Sequence, residues 1–304
     1  MNSRRLLVGI VIAVIGAAYY FCHTEVNPVT GEKQHITLTP QDEVAIGLQS
    51  APRMAAEMGG LSPVREAQDY VRRIGQKVVA GSEAKAAPYP FDFHLLADHE
   101  TVNAFALPGG QIFLTAGLFE KLGSEGELAG VLGHEIGHVV HRHAAEHLAK
   151  QQFTQVLIGA AAVAGSSDRS DGRQAAAIAA VVGEVVNLRF SRQDELEADA
   201  AGVKALGEAG YDPRSLAKVM EVLKSVSGRS GRPDFLSTHP DPGDRLQRID
   251  AEIARLYPSG VPSNLGTGDA AAFSAIRGRV AAAAGRSPDE LPAGGEGRTQ
   301  PEQK

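Results

Sequence analysis

The chain has 304 residues, of which 43% are hydrophobic and 22% charged, so it can bury a core and is not a disordered polymer overall. A net charge of −6 gives no basic footprint for nucleic acid, and a single cysteine, Cys22, excludes an internal disulfide. The length fits one domain of ordinary size with terminal extras, or two small domains.

Arg4 and Arg5 precede an uncharged apolar run from Leu6 to Phe21. A positive n-region before an apolar h-region is an export signal, and the positive-inside rule sends the remaining chain across the membrane. Residues 1–22 are therefore expected to be a signal or anchor. Three fates stay open: an uncleaved anchor, cleavage near Gly16-Ala17-Ala18, or lipid attachment at Cys22. The bulky Tyr19-Tyr20-Phe21 argues against the last of these. Asn27-Pro28-Val29-Thr30-Gly31 is a turn cluster. Thr39-Pro40-Gln41-Asp42 reads as an N-cap with Pro at the first helical position, opening a helix to about Glu57. A second helix starts at Ser62-Pro63, with Val64, Ala67, Val71, Ile74 and Val78 as its apolar face. Phe91, Phe93 and Leu95 alternate as in a strand. Residues 102–107 and 111–115 flank Pro108-Gly109-Gly110 as a β-hairpin.

Ser124-Glu125-Gly126-Glu127 is a capping box for a long helix expected to run to about Ala149. Residues 155–165 and 174–186 are apolar but too short to span a bilayer, and are read as buried helices on either side of a polar loop at 166–172. Helices are expected at 191–206, from Asp212-Pro213 to about Val226, and at 241–256. An Ala-, Gly- and Pro-rich tail, expected to be disordered, runs from 284 to 304.

The long helix carries His134-Glu135-Ile136-Gly137-His138. Residues four apart share a helical face, so both imidazoles can reach one ion. Glu135 sits about 100° round the helix, near that ion but not a ligand of it. Two histidines and one base on a single turn suit zinc-dependent peptide hydrolysis, in which the carboxylate takes the proton of the attacking water. His141, His143 and His147 are read as solvated or locally hydrogen-bonded rather than as extra ligands. A third ligand is required. Glu127, Glu146, Glu184, Glu195, Glu197 and Glu208 are candidates. Glu195 and Asp199 share a face, which suits a ligand plus an acid that orients a ligating histidine. Glu197 points about 200° from Glu195 and is expected to be solvated. Spacing alone leaves an ordinary acidic helix face equally open.

The HExxH run together with Ser191-Arg192-Gln193-Asp194-Glu195-Leu196-Glu197-Ala198-Asp199 resembles the HtpX and CAAX prenyl protease family, metallopeptidase family forty-eight. The resemblance extends to Asn103-Ala104-Phe105-Ala106-Leu107-Pro108-Gly109-Gly110, Ala209-Gly210-Tyr211-Asp212-Pro213, Thr238-His239-Pro240 and Arg245. It covers roughly residues 27–258. It implies Glu195 as third zinc ligand and Asp199 as the supporting acid. It also brings His239 and Arg245 to the site, either to stabilise the oxyanion or, for His239, to occupy the open metal position. Asn103, Ala104, Phe105 and Ala106 would then be a substrate-pairing edge. The family's membrane-embedded members have several spans. This sequence offers one, so it resembles the exported, periplasmic branch and lacks the chamber a prenyl-peptide protease needs.

The resulting expectation is an α+β, mostly helical gluzincin with a small β-hairpin beside the HExxH helix. Residues 23–283 form the catalytic domain. It carries one Zn²⁺ per chain and is attached to a membrane by the N-terminal segment. Its expected activity is endoproteolysis of unfolded or misassembled envelope proteins in the periplasm. The rival is a chaperone-like protein with a plugged metal site.

Overall fold

The computed structural model describes residues 3–165, 189–226, 235–240, 243–287 and 291. The polar loop at 166–172, the helix expected at 174–186 and most of the expected tail lie outside them. The described residues are mostly helical, with small sheets.

Helix α1 (Ser3–Cys22) leads into a two-residue antiparallel ladder, β1 (Glu25–Val26) with β2 (Lys33–Gln34), closed by the expected turn at Asn27. Helix α2 (Pro40–Glu57) opens on Thr39, which accepts from Asp42 N while the Asp42 carboxylate accepts from Thr39 N. Helix α3 (Arg65–Gly81) starts three residues later than expected. Its stripe of Ala67, Val71, Ile74 and Val78 is buried, each large side chain contributing about 1.5–3 kcal/mol. The strands β3 (Asp92–Leu96), β4 (Ala104–Leu107) and β5 (Gln111–Thr115) form a sheet in the order β3-β5-β4. The hairpin is antiparallel, with Phe105 opposite Phe113, and turns through Gly109 and Gly110 at φ 78° and 96°. The sequence did not suggest that β3 pairs parallel to β5, leaving β4 on the edge.

A short α4 (Ala116–Lys121) precedes the HExxH helix, α5 (Glu125–Val140). Ser124 caps α5 as expected, but Glu127 reaches past it to Gly123 N. Buried Glu125 anchors the start of α5 by accepting from the Tyr70 and Tyr211 hydroxyls, both at 2.7 Å. The expected continuation to Ala149 is interrupted. The chain turns at His141 and Arg142, and α6 (His143–Gly165) begins a new axis. Arg142 adopts φ 57°, the one non-glycine residue with positive φ among those described.

The helices α7 (Arg192–Glu208), α8 (Arg214–Val226), α9 (Phe235–Thr238), α10 (Arg245–Leu256) and α11 (Ala270–Ala283) complete the fold. Ser191 and Asp194 form a capping box at the start of α7. The last of these helices was not expected from sequence. It buries Phe273 and Val280 in the main core, beside α3 and α4.

One expectation fails outright. Ala160 is buried, but most of residues 155–161 are not: Val156, Leu157 and Ile158 stand exposed on α6. Helix α1 packs antiparallel along the same helix. Tyr20 stacks on Phe153 at 4.7 Å, and Gly16 meets Val156. The apolar side chains of α1, from Leu6 to Phe21, also face outward. The pair thus exposes apolar side chains from both helices, and α1 is long and apolar enough to cross a membrane.

Candidate metal centre

Two helices bring the site together. Gly133 and Gly137 lie four apart on α5 and face Ala198 and Gly202, four apart on α7. A Cβ on Gly137 would come within 2.9 Å of the Ala198 carbonyl oxygen, so only glycine permits this approach. The side chains beside that seam then converge. His134, His138, Glu195 and His239 all place a donor atom in one fully buried cluster.

The spacings are regular. His134 Nε2 lies 3.1 Å from His138 Nε2, and each lies 3.5 Å from an oxygen of Glu195. His239 Nδ1 is 3.3 Å from His134 Nε2 and 3.0 Å from Glu195 Oε1. Donors bound tetrahedrally at zinc distances lie about 3.3 Å apart, so the separations of the three ring nitrogens from one another and from the two Glu195 oxygens suit ligands around one ion. Two imidazoles and a carboxylate are also a donor set that suits zinc.

Surrounding groups fix these donors. His134 Nδ1 lies 2.9 Å from Asp199 Oδ1, and Arg245 donates Nε and Nη2 to the Asp199 carboxylate at 2.8 and 2.7 Å. Arg245 Nη1 also lies 2.9 Å from Glu195 Oε2. His138 Nδ1 lies 2.9 Å from His143 Nδ1, whose Nε2 is 3.1 Å from Glu197 Oε2. Phe190 stacks on His138 at 4.0 Å and Phe235 on His239 at 4.2 Å.

Electrostatics follow from that packing. Burial opposes charge on His134, but Asp199 and Glu195 outweigh it and raise its pKa to about 9. Burial also opposes ionisation of Glu195, yet His239 and His134 hold its carboxyl well below the usual range. Asp199 is likewise lowered: the bonds from Arg245 and His134 overcome its burial. Burial pushes the Glu135 pKa up and the His138 pKa down. Neither carboxylate oxygen of Glu135 has a hydrogen-bond donor among the described residues. Its nearest basic neighbour is His239 Nε2, at 3.6 Å.

The structure therefore brings together His134, Glu135, His138, Glu195, Asp199, His239 and Arg245. The other candidate acids stand apart. Glu127 caps its own helix and Glu184 lies outside the described residues. Glu197 is half-buried against His143 rather than solvated, because the break at Arg142 turns His143 inward. His143 meets His138 and Glu197, and His147 meets Asp194, so their partners lie partly on α7 rather than nearby in the chain. Asn103, Ala104 and Phe105 are buried and Ala106 is partly exposed. Ala106 and Leu107 share a cleft with His138. Sequence reasoning missed Phe190 and Phe235, although each lies within four residues of a site motif.

Residues 65–253 match peptidase family M48. The beta-barrel assembly-enhancing protease of Escherichia coli (strain K12) is 34% identical over 201 residues, 64% of this chain and 40% of that protein. The mitochondrial metalloendopeptidase OMA1 of Schizosaccharomyces pombe is 29% identical over 238 residues, 77% of this chain and 68% of that protein. The OMA1 protein of Arabidopsis thaliana is 37% identical over 154 residues, 48% of this chain and 28% of that protein. The chain thus spans less than half the length of the bacterial relative. With a match over more than half of its residues, the chain belongs to peptidase family M48.

Proposed function

We propose that the chain is a zinc-dependent endopeptidase for unfolded or misassembled cell-envelope proteins, held latent by His239. The observation that carries this reading is the four-donor cluster beside a buried Glu135 whose carboxylate has no hydrogen-bond donor among the described residues. His134, His138 and Glu195 would hold the metal. When bound, zinc supplies Lewis-acid polarisation of the scissile carbonyl and acidifies the attacking water.

Glu135 takes the proton of that water on a carboxylate oxygen and returns it to the leaving amine nitrogen. Asp199 holds the His134 ring through Nδ1, and Arg245 holds Asp199. With its guanidinium committed to two carboxylates, Arg245 acts as a positioning residue rather than as an oxyanion donor. The spacing of His239 Nδ1 from two ligand atoms supports occupation of the open coordination position, with Phe235 stacked behind the ring. A substrate carbonyl would need the place His239 Nδ1 takes, so His239 would have to swing out first.

The edge strand supports a substrate that pairs by its main chain, a mode that reads extended conformation more than sequence. Unfolded chains offer that conformation. The bacterial relative, named for β-barrel assembly, supports envelope substrates. Arg4 and Arg5 before α1, and the exposed apolar pair of α1 and α6, support a periplasmic domain of residues 23–283 attached to a membrane by residues 1–22, with 284–304 as a tail.

Cleavage of casein, measured alongside metal content, tests the reading. Glu135→Gln should abolish cleavage while retaining metal, and His239→Ala should increase cleavage. Full activity in Glu135→Gln overturns the mechanism. If neither wild type nor His239→Ala cleaves, the chaperone-like reading with a permanently plugged centre takes its place.

A further inference from the structure

A second cluster of donors lies outside the catalytic shell, at the turn between α5 and α6. Two histidines separated by one residue in a continuous helix point about 200° apart. Here Arg142 takes a left-handed conformation, which for a side-chain-bearing residue costs about 1–2 kcal/mol. It is held there by buried Glu43, which accepts from its Nε at 2.8 Å, and by the Leu38 carbonyl at 2.9 Å. The result is that His141 and His143 stack at 5.4 Å and both face Glu197 on α7.

The donor atoms are spaced as ligands. His143 Nε2 lies 3.1 Å from Glu197 Oε2. His141 Nδ1 lies 3.8 Å from the same oxygen and 3.7 Å from Glu32 Oε2. These separations bracket the 3.3 Å or so of neighbouring donors on a tetrahedral ion, as the catalytic cluster does. His141 Nδ1 is buried, has no hydrogen-bond partner among the described residues, and is too far from either carboxylate for a normal bond. Two imidazole nitrogens with one or two carboxylate oxygens form a donor set for zinc or a similar borderline divalent ion.

We propose that His141, His143 and Glu197, with Glu32 within reach, form a second, weaker divalent-metal site that opposes the catalytic one. The opposition follows from proton bookkeeping, and it rests on His138 being a catalytic ligand. When His138 binds metal through Nε2, its Nδ1 carries the proton and donates to His143 Nδ1. His143 then holds its own proton on Nε2, facing Glu197. An ion on His143 Nε2 needs that lone pair, so the proton shifts to Nδ1 of the same ring. Two N–H groups then face each other at 2.9 Å, and the bond that orients His138 is lost. Losing such an outer partner typically weakens metal affinity 10–100-fold.

The test is zinc titration of the full chain by equilibrium dialysis with metal analysis, alongside casein cleavage. Wild type should bind two ions, with cleavage falling as the second binds. His141→Ala should bind one, and its inhibition by zinc should move at least tenfold higher. Glu32→Gln, at an exposed position, should weaken the second ion without threatening the fold. A wild type that binds one ion at millimolar free zinc overturns the proposal, as does a second ion unaffected by both variants. If the tight ion is absent but the weak one still depends on His141, the catalytic reading fails and the second site stands.

Discussion

Replacing Asp199 with Asn tests whether this carboxylate sets both the orientation and the proton affinity of His134. In the metal-free protein the His134 pKa lies near 9, with the Asp199 hydrogen bond the largest influence raising it against burial. Metal must displace that proton. At pH 7, two units below, the displacement costs about 2.7 kcal/mol, a factor of about 100 in apparent affinity. Wild-type affinity should therefore rise about tenfold from pH 7 to 8 and level off near pH 9. Asn keeps an oxygen that can accept from His134 Nδ1 but removes the charge. The slope between pH 7 and 9 should shrink, while affinity at pH 9, where proton competition has gone, should fall about 10–100-fold. Competition against a chelator of known pH dependence reads both. The metal-free stability has a matching sign. A folded pKa above the unfolded value of 6.5 contributes stability present below pH 6.5 and lost as pH rises through about 9. The urea midpoint of metal-free wild type should fall across that window, and that of the variant should fall less. A variant with the wild-type slope, or with affinity at pH 9 within about threefold of wild type, would refute the reasoning.

Gly137→Ala should separate α5 from α7, because its Cβ meets the Ala198 backbone at 2.9–3.0 Å. Metal affinity should drop at least tenfold, with a stability loss of about 1–3 kcal/mol in urea unfolding. Glu43→Ala leaves Arg142 buried without its main partner and should destabilise by about 3–5 kcal/mol, read by the same measurement. Deleting residues 1–22 should abolish flotation of the protein with phospholipid vesicles, and retained flotation would move membrane attachment to α6.

What was readable from sequence follows the range of the physics. The His134 and His138 pairing is local, fixed by helical geometry, and stands in the structure as the spacing implied. The shared face of Glu195 and Asp199 was equally local. Which helix would carry the third donor was not, because it depends on glycine-to-alanine contact between segments about 60 residues apart, and only the resemblance to a family pointed to it. Helix α11 escaped notice because Ala dominates its sequence and leaves Phe273, Ile276 and Val280 as a sparse stripe. Residues 155–161 show the limit of composition. An apolar run is compatible with a core, a partner helix or lipid, and only the exposed faces of Val156, Leu157 and Ile158 distinguish them.

The break at Arg142 is the most consequential feature that no local pattern announced. Neither Gly nor Pro stands there, and helix propensity favours continuation to Ala149. The turn is held instead by Glu43, 99 residues away, and by Glu25 and Leu38 at the N-terminal end of the domain. A continuous helix would carry His143 and Glu197 out of register. The break places His143 behind His138 and Glu197 behind His143. Residues in and before α2 therefore set the surroundings of His138 on α5, although none of them is among the clustered donors. The buried ion pair is better read as a device that fixes this geometry than as a source of net stability, since its desolvation offsets much of its attraction.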